Sequence, residues 1–72
     1  MDIEAGVKNK VKELRKKRGW TQSEFGEKLG ISRQSVHSIE TERYDPSLPL
    51  AFRIADVLGI SLDKIFEKPK GS

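Results

Sequence analysis

The sequence predicts an all-α fold of five short helices, on three observations. Helix start and stop signals occur in five sets along the chain. Between them, apolar residues recur at helical spacing. No strand-like alternation competes with that pattern, and no internal repeat is found.

The first helix rests on Val7, Val11 and Leu14, spaced i, i+4 and i+7 as one buried stripe requires. Ile3 and the stem of Arg18 extend the line, while Gly6 weakens its start. The helix is expected to begin within residues 4–9 and to end at Gly19, whose missing side chain suits a left-handed cap. Thr21-Gln22-Ser23-Glu24 reads as a capping box, with Trp20 and Phe25 placed to form a hydrophobic staple around it. This second helix runs to Leu29 and stops at Gly30. Ser32 caps a third helix, which carries Val36 and Ile39 inward and ends near Thr41.

Tyr44-Asp45-Pro46 reads as a loop, because proline disfavours a helical residue before it. Ser47 is the cap of a fourth helix, with Pro49 tolerated in its first turn. Leu50, Ile54 and Leu58 form its stripe and Gly59 ends it. Ser61 caps a last helix holding Leu62, Ile65 and Phe66. The expected core is Val11, Leu14, Phe25, Leu29, Ile31, Val36, Ile39, Leu48, Ile54, Leu58, Ile60, Leu62 and Ile65. Residues 1–67 form one domain in this reading. Residues 68–72 have nothing to bury and are expected to be mobile.

Composition excludes several classes of function. The chain has 72 residues, room for one domain and not for a deep cleft between two. It has no cysteine, hence neither disulfides nor thiolate zinc sites, and one histidine cannot build a metal cluster alone. No cofactor is implied. No apolar run approaches the length of a membrane span, and the N-terminus lacks the apolar stretch of a signal peptide. A cytoplasmic module without membrane contact is therefore expected. Fourteen basic against eleven acidic residues give +3, and residues 8–18 alone hold seven basic side chains against Glu13. Such asymmetry admits a polyanion as partner, although a basic helix face is often merely solvated.

Residues 21–41 carry the functional signal. Two capped helices joined only by Gly30-Ile31 have the sequence mark of a helix-turn-helix, and Gly26 allows the two helices to approach closely. At about 100° per residue, with Arg33 at zero, Val36 falls near 300° and Ile39 near 240°. Arg33, His37, Thr41, Gln34 and Ser38 occupy about 0–140° on the same wheel. One face is apolar; the opposite one is a set of hydrogen-bonding side chains without an acid, as a surface meeting DNA requires. Arg can bridge two acceptors on guanine and Gln can pair with adenine in the major groove. Arg33 and Gln34 stand at the helix start, the end that reaches bases in this motif. Free N–H groups at helix starts bind phosphate, which gives Gln22 and Ser32 a positioning role.

The stretches Glu13-Leu14-Arg15, Gly19-Trp20-Thr21-Gln22, Leu29-Gly30-Ile31-Ser32, Ile39-Glu40, Asp45-Pro46-Ser47-Leu48, residues 54–60 and Phe66-Glu67, in this order and with Val36 between, resemble the small DNA-binding domains of phage lambda-repressor and Cro type, the XRE-like helix-turn-helix regulators. The resemblance implies a five-helix domain that binds double-stranded operator DNA as a two-fold homodimer and regulates transcription. It also implies that Gln22 clamps a phosphate and that Arg33, Gln34 and Ser38, with His37 on the same face, read bases. Thr41, Arg43 and Tyr44 would touch the DNA backbone, and Arg15 and Glu40 would form a structural ion pair between the first and third helices. Glu42 departs from the family, which commonly has glycine there. Either the loop takes another shape, with Glu42 turned toward Arg43, or the added anion lowers affinity for DNA.

Phe52 and Phe66 either close the core or form a subunit contact. The competing class is a protein-interaction module on the same fold, antitoxin-like or bridging, using the apolar surface around those two residues. An enzyme is disfavoured, because His37 with Glu40 or Ser38 would stand on an exposed helix without a pocket. No pocket for a small-molecule effector is legible.

Overall fold

The structure, a computed structural model, describes residues 7–67. The readings placed on Ile3, Gly6 and the tail 68–72 lie outside the described residues. The five helices are α1 (Val11–Lys17), α2 (Gln22–Leu29), α3 (Arg33–Glu40), α4 (Leu48–Leu58) and α5 (Leu62–Ile65). None of them is long and apolar enough to cross a membrane.

Local chemistry sets most of the boundaries. Thr21 Oγ1 accepts the Glu24 N–H at 3.0 Å, and Glu24 Oε1 accepts the Thr21 N–H at 2.8 Å, closing the capping box. Trp20 stacks on Phe25 with ring centroids 5.8 Å apart, so the staple forms as well. Ser32 and Ser47 cap α3 and α4 by accepting the Ser35 and Leu50 N–H groups. Gly19, Gly30 and Gly59 are all left-handed, ending α1, α2 and α4.

Three expectations need correction. First, α1 starts at Val11, later than residues 4–9, because the preceding segment is paired elsewhere. Asn9 forms an isolated antiparallel bridge with Phe66, Lys10 N–H donates to Ile65 O at 2.9 Å and Glu67 N–H to Lys8 O at 2.8 Å. Val7 therefore lies outside the helix and is half-buried. Second, Phe66 follows α5 in an extended conformation and is not part of that helix. Ser61 holds the cap position of α5 but makes no side-chain cap bond. Third, Leu48 is 63% exposed, not core. It opens α4 on the side of Phe52, one turn on, whereas the inward stripe of that helix is Ala51, Ile54 and Leu58.

All five helices contribute to the core, which consists of Val11, Phe25, Leu29, Val36, Ile39, Ile54, Leu58 and Ile65. Leu14, Ile31, Leu50 and Ile60 pack half-buried at its edge, and Leu62 is also half-buried. Two arginines tie helix ends across the bundle. Arg53 Nη1 donates to Leu29 O at the end of α2, at 2.9 Å, and Arg18 Nη2 to Leu58 O at the end of α4. A cation at these carbonyls is favoured by the helix dipole.

Gly26 fixes how tightly α2 meets the turn. A Cβ there would stand 2.7 Å from Ile31 O, a backbone atom that cannot retreat without moving the turn. Overpacking of this kind costs about 1–3 kcal/mol, offset in part by about 1 kcal/mol of better helix propensity. Gly26→Ala is accordingly expected to lower the melting temperature, by about 5 °C, read by circular dichroism.

Candidate nucleic-acid interface

The turn Gly30-Ile31 carries the chain from α2 into α3, with Ile31 N–H returned to Gly26 O at 2.9 Å. Val36 and Ile39, both 1% exposed, anchor the inner face of α3. Its outer face presents Arg33, Gln34 and His37 exposed, and Ser38 half-buried. Among the described residues, the Arg33 and Gln34 side chains take no part in a hydrogen bond, and the first turn of α3 holds no acid. Both side chains are free for an external partner.

Behind this face lies a buried polar chain. Arg15 Nε donates to Glu40 Oε2 at 2.6 Å and Nη2 to Oε1 at 3.1 Å, a bidentate pair whose side chains are 7% and 2% exposed. Arg15 Nη1 also donates to Trp20 O at 2.7 Å. Glu40 Oε1 accepts a further bond from Gln22 Nε2 at 3.1 Å. One ion pair thus joins α1 to α3 and also orients the first residue of α2. Gln22 Nε2 lies 3.4 Å from His37 Nδ1. The amide nitrogen can only donate, so this contact requires the His37 tautomer protonated on Nε2. No buried side-chain nitrogen or oxygen among the described residues lacks a partner.

The loop after α3 is shaped by Glu42. It keeps the left-handed backbone that glycine favours, at φ 63°, with a strain of roughly 1–2 kcal/mol for a residue with a Cβ. Of the two alternatives, the one with Glu42 paired to Arg43 is not what forms: Oε2 accepts the Asn9 N–H at 3.0 Å. Arg43 and Tyr44 are exposed beside it. Thr41 Oγ1 donates back to His37 O at 2.9 Å, so it must rotate before it can donate elsewhere. Ser32 Oγ is occupied in the cap and donates to Ser35 Oγ at 3.0 Å, leaving its exposed position at the turn as its main asset.

The basic run is less of a unit than its spacing suggested. Arg15 is withdrawn into the ion pair, and Arg18 reaches Leu58 O while lying 5.8 Å from the Trp20 ring centroid. Lys8, Lys10, Lys12, Lys16 and Lys17 remain exposed. Sequence reasoning missed the tether between Gln22 and Glu40, the role of Asn9 and the burial of Ala51. Only Asn9 carried a signal, as a cap-type residue two positions before Val11.

A capped helix pair joined through a Gly-Ile turn, with an exposed polar face on the second helix, is the arrangement of a helix-turn-helix module. Residues 11–65 match the family model described as "Helix-turn-helix". An uncharacterised HTH-type transcriptional regulator of Methanocaldococcus jannaschii is 47% identical over 60 residues, covering 83% of this chain and 91% of that protein. The HTH-type regulator YgzD of Bacillus subtilis is 43% identical over 60 residues, with 83% and 91% covered. Among solved structures, the biofilm master regulator SinR in complex with DNA matches with a TM-score of 0.67 at 31% identity, over 74% of this chain and 86% of that one. The chain belongs to the lambda-repressor-like, Cro/CI-type helix-turn-helix family of DNA-binding transcriptional regulators.

Proposed function

We propose that the chain is a sequence-specific regulator that reads the major groove with α3, as a two-fold dimer on a palindromic operator. The observation that carries this reading is the outward face of α3: Arg33 and Gln34 unbonded at the helix start, acid-free, on a helix anchored from behind. Arg33 suits guanine and Gln34 adenine, with His37 and Ser38 reaching the next bases along the groove. Gln22, Ser32, Thr41, Arg43 and Tyr44 hold the phosphates on either side. For Gln22 this means exchanging its His37 contact for a phosphate oxygen while Glu40 keeps the amide oriented.

The dimer contact centres on Phe52, 54% exposed, with Leu48 one turn before it. Phe66 is half-buried against the core and contributes less. An apolar pair on an exposed helix face is a surface that a second copy would cover. Phe52→Glu is expected to yield a monomer in sedimentation and to weaken binding to a two-half-site duplex by about tenfold or more, since the second half-site then no longer benefits from tethering.

Selection of bound duplexes from a random pool tests the reading as a whole. Two inverted half-sites about 34 Å apart are expected, with affinity falling steeply as salt rises because phosphate contacts release counterions. A pool that enriches no sequence would overturn it. That outcome would favour the interaction-module reading, in which a different protein covers Leu48 and Phe52.

A further inference from the structure

Asn9 stands outside every helix, yet each of its polar groups that bonds within the chain joins a different element. Its Oδ1 accepts the Val11 N–H, the first of α1, at 3.0 Å from the residue before the N-cap Lys10. Its Nδ2 donates to Ile39 O, in the last turn of α3, at 2.9 Å. Its own N–H donates to the Glu42 carboxylate in the loop that follows. The segment around it is fixed from the other side by the pairing of Lys8 and Lys10 with Glu67 and Ile65. A second acid of the α3–α4 loop grips the same segment, Asp45 Oδ1 accepting the Val7 N–H at 2.7 Å.

We infer that Asn9 is a positioning residue for DNA reading: it sets the tilt of α3 by holding that helix's C-terminal end. The inference rests on the proposed role of α3. The beginning of α3 is fixed by the Gly-Ile turn and the Ser32 cap, and Glu40 is held by Arg15. The helix ends at Glu40, and Ile39 is its last apolar core residue. Its closing carbonyls depend on whatever reaches them. Ile39 O takes the Glu42 N–H and the Asn9 amide, and the residues that supply both donors are themselves joined by the Asn9 N–H bond to Glu42. This closed circuit also gives a reason for glutamate at a left-handed position: its carboxylate is the acceptor that completes the circuit. The start of α3, which carries Arg33 and Gln34, moves with any change of tilt at its end.

Asn9→Ser separates the two side-chain bonds. A serine hydroxyl can still accept the Val11 N–H two residues on but is too short to reach Ile39 O, and the net charge is unchanged. In the full chain this variant is expected to melt within a few degrees of the native protein. Discrimination between the selected duplex and a random one is expected to fall about fivefold, with binding to the random duplex unaltered. Amide exchange at Thr41 and Arg43, whose N–H groups close the end of α3, is expected to accelerate while α2 and α4 keep their protection. Asn9→Ala, which loses the bond to the Val11 N–H as well, is expected to add a clear loss of melting temperature. Full discrimination in Asn9→Ser would overturn the inference. Should the native chain fail to discriminate duplexes at all, the functional reading falls and exchange alone decides: unchanged exchange at Thr41 and Arg43 overturns the tether, and faster exchange upholds it.

Discussion

Replacing Glu40 with alanine is expected to lower the melting temperature by about 15 °C, the largest loss of any single exchange considered. The carboxylate is 2% exposed and accepts three bonds, two from Arg15 and one from Gln22. Its removal leaves the Arg15 guanidinium, itself 7% exposed, with only the Trp20 carbonyl as partner among the described residues. Breaking a buried pair from one side costs about 3 kcal/mol, mainly because the remaining charge stays buried without compensation. A domain of this size loses roughly 4–8 °C per kcal/mol. Removing both charges, as Arg15→Met with Glu40→Leu, is expected to restore much of that stability, since an apolar pair of similar volume avoids the desolvation penalty. The double variant is still expected to bind DNA weakly, because Gln22 has lost its anchor. Thermal melts and duplex-binding isotherms on the two variants separate the contribution to folding from the contribution to aim. A Glu40→Ala protein as stable as the native one would remove the pair from any structural role.

The second large effect concerns recognition without stability. Arg33→Ala and Gln34→Ala are each expected to cost about 1–3 kcal/mol of binding per half-site and to relax preference at one base pair in each. On a two-fold operator both half-sites carry the loss, so the effect on the dimer is roughly doubled. Neither side chain bonds to anything in the described domain, and both are exposed. Their removal is therefore expected to leave the folding free energy within about 0.5 kcal/mol of native. Repeating the duplex selection with each variant shows whether the enriched site has lost one defined position or is unchanged.

What was legible in the sequence follows the range of the interactions involved. The caps at Thr21, Ser32 and Ser47 span three residues, so the side chain and the N–H it satisfies lie within one short motif. The acid-free face of α3 was equally readable, because helical period alone sorts Arg33 and Gln34 from Val36 and Ile39. The start of α1 was not. It is set by the pairing of residues 8–10 with 65–67, and no local rule reports a partner so far along the chain. The same distance hid the bond that Glu42 accepts from the Asn9 N–H and made the nearer Arg43 look like its natural counter-ion. Leu48 misled by its hydrophobicity, since an apolar residue at a helix start has no periodicity of its own. The pair Arg15–Glu40 entered only through family resemblance, and its extension to Gln22 became visible only once α1, α2 and α3 were in place.

The most direct measurement is a titration of the isotope-labelled chain with its selected duplex, followed by nuclear magnetic resonance. The largest shifts are expected at the start of α3, on the Arg33 Nε–H and the Gln34 side-chain amide, with smaller ones at Gln22 and Arg43. Shifts centred on Leu48 and Phe52, with the Arg33 and Gln34 signals unmoved, would contradict the assignment of α3 as the element that meets DNA.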